Sequence, residues 1–359
     1  MRIATYNVNN LFERANLLEF EGFSEKATSI LNDIDELNKL IKYPNYDPVK
    51  NEIITLLEKH FSKNVQNNYF IINQVKGKLF SVDDNGVTLL AKGRKDWKGW
   101  AELTRSPVNI MANQNTGRVI NEIMPDVMCV VEVENSTALV NFNKQLLNNH
   151  FKYNMAFNGN DNRGIELGIY SNYAISNFKS HVFETFKLNG SRYKIFSRDC
   201  AEYEIALNNG KKLHILCNHF KSNGHGSEKV NKIKRRQQAE KVNEILKKYD
   251  LNKDFVVVSG DFNDTPESES LHPLLSNKKL INIVDNINGP KGTFLDKDEQ
   301  FDYLLVSIAL YGKITNIGIE RRGIFNNGQV EPFDTVTSKS NHASDHALVW
   351  ADFNFDRRN

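Results

Sequence analysis

A chain of 359 residues is long enough for one large domain or two ordinary ones. Hydrophobic residues make up 40% of it and charged residues 25%, which is typical of a globular protein. The formal net charge of +2 gives no whole-protein attraction to nucleic acid or membrane, so any polyanion binding must come from a local basic patch. The three cysteines lie in or beside apolar runs, which predicts buried reduced thiols and excludes a disulfide framework.

The N-terminal segment enters a strand-like run at once, without the basic and apolar regions of a signal peptide. No apolar stretch approaches the roughly 20 residues of a membrane span. These features predict a cytoplasmic protein, although a trimmed chain would look the same. Nothing indicates an obligate protein partner, and we expect a monomer.

Residues 2–12, RIATYNVNNLF, are predicted to form a strand that runs into polar residues. Asn7 and Asn9 share one face if the strand continues, because side chains alternate along a strand. Residues 13–118 are then predicted to be an insertion into a single domain that spans 1–359. Helical spacing predicts helices at 24–41 and 49–61, and a turn-rich Asp-Asp-Asn-Gly predicts a hairpin that pairs 69–72 with 87–90.

After the insertion, several apolar strands end in side chains that can perform chemistry. A glutamate at the end of a buried strand is costly unless it is paired or bound to a metal. A solvated strand end is the alternative in each case. The predicted strands are 126–135, which carries Glu132; 163–171, which carries Glu166; 212–217, which leads to His219; 304–306, which follows Asp302; and 347–350, which follows Asp345 and His346.

The stretch 256–264, VVVSGDFND, combines a buried strand with a cluster of polar groups. Gly260 permits a tight turn, and Asp261 and Asn263 follow it. Sites in α/β proteins tend to lie at the carboxyl ends of such strands. An Asx turn without a function is the alternative, and we interpret Asp264 as a turn or capping residue.

A basic amphipathic helix is predicted at about 228–248, after His219. Its apolar face is expected to carry Val230, Ile233, Ala239, Val242, Ile245 and Leu246. Its outer face is expected to carry Lys232, Arg235, Arg236 and Lys241. A solvated helix face explains most such charge runs, and a phosphate-facing patch is the alternative.

These strand ends supply oxygen ligands and two histidines but no cysteine. Such a set suits Mg²⁺, with Mn²⁺ or Ca²⁺ as alternatives, better than zinc. A hard cation with a histidine near neutral pH is suited to phosphoester hydrolysis. The set is Asn7, Glu132, His219, Asp261, Asn263, Asp302, Asp345 and His346.

The sequence resembles the endonuclease/exonuclease/phosphatase superfamily, which includes deoxyribonuclease I and exonuclease III-type repair enzymes. The matching segments cover most of the chain outside the insertion, and they include ATYNVNNLF, DVMCVVEVEN, ILCNHFKS, VVVSGDFNDTP, FDYLLVS and SDHALVW. The resemblance implies a deoxyribonuclease I-like α/β fold. This fold is a four-layer α/β/β/α sandwich of two mostly antiparallel sheets.

The resemblance also implies roles for individual residues. Glu132, Asn7 and Asp345 match the metal site. Asp261 and Asn263 match the pair that orients water, and His346 with its orienting Asp302 matches the active-site histidine. His219 matches the extra histidine of the deoxyribonuclease I-like branch, and Glu166 is the candidate to pair with it. Asn9, Arg163 and Arg198 are candidate substrate contacts, and a structural salt bridge is the alternative for the two arginines.

The expected function is a metal-dependent phosphodiesterase, a nuclease that cleaves DNA or RNA by in-line water attack. A phosphatase or a phosphodiesterase for phospholipids or inositol phosphates is the alternative, because this fold serves many substrates. A non-catalytic binding module is a minor alternative. The sequence leaves open whether cleavage is endo or exo and which histidine is acid or base.

Overall fold

The computed structural model describes residues 1–11, 25–62, 69–104, 109–161, 164–188, 190–208, 210–223, 227–295 and 298–355. The chain divides into two compact units. The first comprises Met1–Phe12 and Asn109–Asn359, and the second comprises Glu13–Val108. No helix in the described ranges is long and apolar enough to cross a membrane.

In the described ranges the strands are β1 (Arg2–Leu11), β2 (Phe70–Lys76), β3 (Phe80–Asp83), β4 (Gly86–Leu89), β5 (Lys98–Leu103), β6 (Val127–Val133), β7 (Tyr153–Phe157), β8 (Glu166–Ser171), β9 (Ile175–Lys179), β10 (Thr185–Leu188), β11 (Ser191–Lys194), β12 (Cys200–Ala206), β13 (Lys212–His219), β14 (Phe255–Asp261), β15 (Leu280–Asn282), β16 (Asp302–Ser307), β17 (Ile314–Glu320) and β18 (Leu348–Phe353). The helices are α1 (Glu25–Leu40), α2 (Lys50–Phe61), α3 (Ile110–Ile123), α4 (Ser136–Leu146), α5 (Glu228–Ile245), α6 (His272–Leu275) and α7 (Ile308–Tyr311). Short 3₁₀ helices span Asp47–Val49, Leu246–Lys248 and Ile283–Asn286.

The first unit contains two six-stranded sheets of matching design. The first sheet has the order β17-β18-β1-β6-β8-β7, and the second has the order β15-β16-β14-β13-β12-β9. Each contains one parallel pair, β1 with β6 or β13 with β14, and its other neighbours are antiparallel. The prediction of two mostly antiparallel sheets is confirmed.

The sheets pack face to face around an apolar interior, because alternate residues of each strand point inward. Cys129 and Ile169 of the first sheet belong to the same buried cluster as Tyr203 and Val257 of the second. Helices α3 and α4 cover the outside of the first sheet, and α5 covers the outside of the second. The predicted α/β/β/α order of layers is therefore confirmed.

The second unit has its own core, in which α1 and α2 pack with two small antiparallel sheets. The predicted turn at 83–86 exists, but the predicted pairing is wrong. Strand β3 pairs with β4, and β2 pairs instead with β5, because four-residue strands close the turn locally. This unit ends at Val108, whereas the expected insertion runs to 118, since α3 packs in the first unit.

The first half of helix α5 differs from its predicted orientation, whereas Ala239, Val242 and Leu246 are buried as expected. Val230 and Ile233, expected to be inside, are 47% and 36% exposed, whereas Asn231, Arg235 and Gln238 are buried. Apolar periodicity alone could not show this, because these polar side chains bind loop atoms. Gln238 Oε1 accepts a hydrogen bond from the backbone of Lys221 (2.9 Å), and its neighbours on this face bind the same loop.

Arg235 is the centre of this buried polar face. Its Nε donates to Asp264 Oδ2 (2.9 Å), and its Nη1 donates to Lys221 O and Asn223 Oδ1 (both 2.9 Å). Asp264 also accepts hydrogen bonds from the hydroxyls of Ser268 and Ser270. One guanidinium therefore fastens the loop after β13 to the turn after β14.

We predict that Arg235→Met lowers the free energy of unfolding by about 3–5 kcal/mol, because it leaves the Asp264 carboxylate without its buried cation. Equilibrium urea unfolding measures this. Arg236→Met is the matched control. The Arg236 side chain is 50% exposed and pairs with Glu240, so its loss should change stability by no more than about 0.5 kcal/mol. Equally small losses in both variants would contradict the role of Arg235.

Candidate active site

Three neighbouring strands of the second sheet bring their polar ends together. His219 ends β13, Asp261 ends β14, and Asp302 begins β16. The register pairs Asp261 with His219 on one side and with Asp302 on the other. The parallel pairing of β13 with β14 and the antiparallel pairing of β14 with β16 bring these distant residues into one row.

Gly260 makes this register possible. Its φ is +124°, and a Cβ there would lie 1.9 Å from the carbonyl oxygen of Asn218 on the neighbouring strand. Only glycine tolerates both the conformation and the close approach. The glycine predicted for a turn thus serves the close packing of β13 and β14 at the site.

The Asp261 carboxylate lies at the centre of the cluster. Asn263 donates to it twice, from its backbone nitrogen to Oδ1 (2.8 Å) and from Nδ2 to Oδ2 (3.0 Å). Asn7 Nδ2 also donates to Oδ2 (3.1 Å). The Nε2 atoms of His219 and His346 lie 3.4 Å and 3.8 Å from the same oxygen. Both sheets therefore contribute to one carboxylate.

Asp261 is 1% exposed, and this burial is the main reason that its pKa rises to about 7. The positive charge of His346 and the hydrogen bond from Asn263 lower this pKa, whereas the carboxylates of Asp302 and Glu132 raise it. A carboxyl group that titrates near neutral pH can accept and release a proton under ordinary conditions.

His346 is held by Asp302. Its Nδ1 lies 2.8 Å from Asp302 Oδ2, and this contact leaves Nε2 directed toward Asp261. Burial alone would lower the pKa of His346, but the carboxylates of Asp302 and Asp261 raise it well above its ordinary value. The charged imidazolium is thus the favoured form between the two acids.

Glu132 reaches the site through an irregularity in β6. Its φ is +65°, and the pairing of β6 with β8 shifts register between Val131 and Val133. Such a bulge redirects a side chain that would otherwise continue the alternation. Glu132 Oε1 lies 3.4 Å from Asn7 Nδ2 and 3.7 Å from His219 Nε2.

The C-terminal Ser-Asp-His segment is fastened to β1. The Ser344 hydroxyl donates to the carbonyl oxygen of Asn7 (2.7 Å) and accepts from the backbone nitrogen of His346 (3.0 Å). Asp345 Oδ1 lies 4.0 Å from His346 Nε2, and its side chain is 30% exposed. Ser344 thus ties the segment that carries Asp345 and His346 to the Asn7 backbone.

The carboxylates of this site are the donors that a hard divalent cation prefers. Asp261, Asp302 and His346 each offer one atom within 4.8 Å of the others, and this group could hold a metal ion. Asp302 Oδ1 is buried and has no hydrogen-bond partner among the described residues. A second pair of carboxylates, Glu132 and Asp345, is partly exposed (17% and 30%) and offers oxygen donors of the same kind, so a cation fits the chemistry of the site there as well.

Other expected residues lie beside this cluster rather than within it. The Glu166 carboxylate accepts from the backbone nitrogen of Gly159, and burial raises its pKa to about 7. Arg198 is 2% exposed and pairs with Asp161 at 2.9 Å, which is the salt-bridge alternative considered for it. Its Nη1 lies 3.4 Å from the carbonyl oxygen of Phe220, next to His219.

The other two candidate substrate contacts are Asn9 and Arg163. Asn9 is half-buried with a φ of +49°, and its backbone nitrogen donates to Asn7 Oδ1 (3.0 Å). Arg163 lies outside the described residues.

Sequence reasoning missed the residues that position the site. Ser344 stands beside Asp345 and His346 in the sequence, and the turn-forming tendency of serine is the signal that could have identified it. Arg235 was placed on the wrong face of its helix. Asp264 was expected to cap a turn, and its contact with the backbone of Thr265 agrees with this, but it also binds Arg235.

A model of the endonuclease/exonuclease/phosphatase family matches residues 79–318. Among solved structures, the chain is similar to an endonuclease/exonuclease/phosphatase from Beutenbergia cavernae, with 13% identity over 67% of this chain and 65% of that one, and a TM-score of 0.48. It is also similar to one from Bacteroides vulgatus, with 16% identity over 68% of this chain and 90% of that one, and a TM-score of 0.49. Truncated Caenorhabditis elegans TDP2 is a third, with 18% identity over 68% and 90%, and a TM-score of 0.46.

The chain spans just under two thirds of the length of the Beutenbergia cavernae protein. No curated protein matches the sequence. The family model nevertheless covers well over half of the chain, and the resemblance inferred from the sequence motifs is confirmed. The protein therefore belongs to the endonuclease/exonuclease/phosphatase family.

Proposed function

We propose that the protein is a metal-dependent phosphodiesterase that cleaves DNA or RNA by in-line attack of water. The observation that carries this proposal is the buried Asp261 carboxylate, which lies within 4 Å of the Nε2 atoms of two histidines. We further propose that the first unit forms one catalytic domain and that the second unit is an insertion in it.

Asp261 and Asn263 act on the water in this proposal. The Asn263 amide holds one carboxylate oxygen of Asp261, so the carboxylate has a fixed direction. Asp261 takes a proton from the water as the new oxygen–phosphorus bond forms. Its pKa of about 7 suits this step, because a general base works best when its pKa lies near the operating pH.

His219 is the candidate acid for the leaving oxygen. It ends β13, directly beside Asp261, and its side chain is 1% exposed. It gives a proton to the ester oxygen as the bond between that oxygen and phosphorus breaks. Asp261 therefore gains one proton and His219 loses one, and no free hydroxide is needed. His346, charged and held by Asp302, contacts the phosphoryl oxygens or exchanges roles with His219.

Glu132, Asp345 and the side-chain oxygen of Asn7 are the proposed ligands of a divalent cation, Mg²⁺ or alternatively Mn²⁺ or Ca²⁺. The Glu132 and Asp345 side chains are 17% and 30% exposed, so they reach solvent, whereas Asp302 is fully buried. When bound, the cation would offset charge on the phosphoryl oxygens.

The basic helix supports a nucleic-acid substrate less than its sequence suggested. Lys232 pairs with Glu228, Arg236 with Glu240, and Lys241 with Glu184 and Glu244. With Arg235 buried, every exposed cation of the set predicted for that face is paired with a carboxylate. The support for nucleic acid comes from the histidine pair and from a second cationic surface, described below.

We predict that Asp261→Asn and His346→Asn each reduce kcat by at least about 100-fold, because the first removes the proposed base and the second removes the histidine that contacts the phosphoryl oxygens. The thermal unfolding midpoint should stay close to that of the wild type. Asp250→Asn, at an exposed turn, is the control and should keep full activity. A near-normal rate in either active-site variant would contradict the catalytic role proposed for that residue.

We predict that the purified protein hydrolyses nucleic acid only with a divalent cation. One panel would compare supercoiled DNA, single-stranded DNA, RNA, a lipid phosphodiester and an inositol phosphate, each with Mg²⁺, Mn²⁺, Ca²⁺ or a chelator. Turnover of DNA or RNA that the chelator abolishes is the expected result. Turnover of only the lipid or the inositol phosphate would contradict the nuclease proposal and support the alternative function. Turnover that persists with the chelator would contradict the requirement for a metal ion.

We predict that Asp302→Asn lowers the pKa of His346, because it removes a carboxylate that raises this pKa. Proton NMR of the metal-free protein should show wild-type His346 still charged above its ordinary pKa, with the variant losing its proton at lower pH. His214, whose pKa burial lowers, is the internal control and should not move. An unchanged His346 titration would contradict the pairing.

A further inference from the structure

A two-stranded hairpin, β10 with β11, projects from the first unit between β9 and β12. Its strands pair only with each other among the described strands. The register pairs Phe186 with Tyr193 and Lys187 with Arg192. Because side chains alternate along a strand, the aromatic pair lies on one face and the cationic pair lies on the other.

Phe186, on the aromatic face, anchors the hairpin to the protein. Phe186 packs against the apolar cluster beneath α5, and its ring lies 5.8 Å from that of Tyr193. At the base, Glu184 forms an ion pair with Lys241 of α5 (3.1 Å). The opposite face, with Lys187 and Arg192, therefore faces outward, and all of β11 is exposed.

This outward face, which we call the cationic face, comprises Lys187, Arg192 and Lys194. Lys187 and Arg192 lie directly opposite one another, and like charges in that position destabilise a hairpin. In the described part of the chain no carboxylate pairs with any of the three, and nearby Glu184 is bound to Lys241. The folded protein thus keeps an unfavourable concentration of positive charge that an anionic ligand would relieve.

An exposed aromatic ring lies beside the cationic face. Phe183 is 83% exposed, the most of any large hydrophobic side chain in the described residues. The Lys194 ammonium lies 4.5 Å from the centroid of its ring, and its Nζ donates to the carbonyl oxygen of Val182 (3.0 Å). Lys194 therefore holds one face of the ring and leaves the other open.

A series of contacts links the base of the hairpin to the candidate active site. Asn160 Nδ2 binds the carbonyl oxygens of Val182 (2.8 Å) and Phe196 (3.0 Å), one on each side of the hairpin base. The Asn160 backbone nitrogen donates to Arg198 O (2.9 Å), and the Arg198 side chain reaches the residue after His219. Each four-residue strand adds about 13 Å of reach, at about 3.3 Å per residue.

We propose that the cationic face and Phe183 bind a single-stranded segment of nucleic acid that flanks the cleaved phosphodiester. Lys187 and Arg192 contact backbone phosphates, and Phe183 stacks on an unpaired base. A basic track with an exposed aromatic ring is the arrangement that binds single strands without sequence preference. This inference rests on the proposed function, since it names how that substrate is held.

The test measures binding separately from cleavage. Fluorescence anisotropy would follow a labelled 20-nucleotide oligothymidylate with chelator present, so that the strand stays intact. We expect Lys187→Glu/Arg192→Glu to weaken binding at least about 10-fold and to reduce the salt slope by about 1.4, since each lost phosphate contact removes about 0.7. We expect Phe183→Ala to weaken binding about 5- to 100-fold.

Lys278→Glu/Lys279→Glu is the matched control. It makes the same change in charge at two exposed lysines before β15. Strand β15 pairs with the C-terminal end of β16, whereas Asp302 lies at the N-terminal end of that strand. Its affinity should stay within about twofold of the wild type. Circular dichroism would check that every variant is folded. Equal loss in the control and the hairpin variant, or no loss in either, would overturn the proposal.

Two further readouts separate this proposal from the proposed function. Hydrolysis of bis(p-nitrophenyl) phosphate should be unchanged in all hairpin variants, since that substrate is too small to reach the hairpin. Failure of the wild type to hydrolyse any phosphodiester would reject the proposed function. The anisotropy measurement would still show whether the hairpin binds single-stranded nucleic acid. Binding to anionic phospholipid vesicles that depends on the hairpin, without oligothymidylate binding, would overturn the proposal in favour of a membrane surface.

Discussion

The burial of one carboxylate, that of Asp261, is the constraint on which this structure depends. Removing an ionised group from water costs several kcal/mol unless hydrogen bonds and opposite charges replace the lost hydration. Asn263 and Asn7 supply the hydrogen bonds, and His346 supplies the opposite charge. Asn7 comes from the first sheet and Asp261 from the second. The two sheets must therefore pack in one fixed relative position for the buried carboxylate to be tolerated. The apolar interior between the sheets provides that register, and the polar site lies at its edge.

The loops around the site are fastened by buried polar side chains rather than by apolar packing. Arg235 fastens the loop after His219 to the turn after Asp261, and Ser344 fastens the C-terminal segment to the backbone of Asn7. Loops carry backbone groups that apolar side chains cannot satisfy, so such ties must be polar. They fix the relative positions of the histidines and the carboxylates without adding ligands to the site. The hairpin is attached in the same way, through Asn160.

The layers of the fold and the strand ends of the site could be predicted from the sequence, because buried strands and their terminal polar groups leave local patterns. The three strand ends that carry His219, Asp261 and Asp302 are adjacent in the sheet, as that reasoning expects. Other features depend on contacts between distant segments. The buried face of α5 was misjudged because Arg235 binds loop atoms that no periodicity reveals. The left-handed bulge at Glu132 and the pairing of β2 with β5 likewise arise from packing and not from local propensity.

The central claim is that Glu132 and Asp345, together with Asn7, hold a divalent cation while Asp261 and His219 transfer the protons. Anomalous diffraction from a crystal soaked in Mn²⁺ tests it most directly, because the ion's position is observed rather than inferred from rates. The account predicts a strong anomalous peak within about 2.5 Å of the carboxylate oxygens of Glu132 or Asp345, the range of metal–oxygen ligation. A peak bound only by Asp261, Asp302 and His346, or no peak at saturating Mn²⁺, would contradict it.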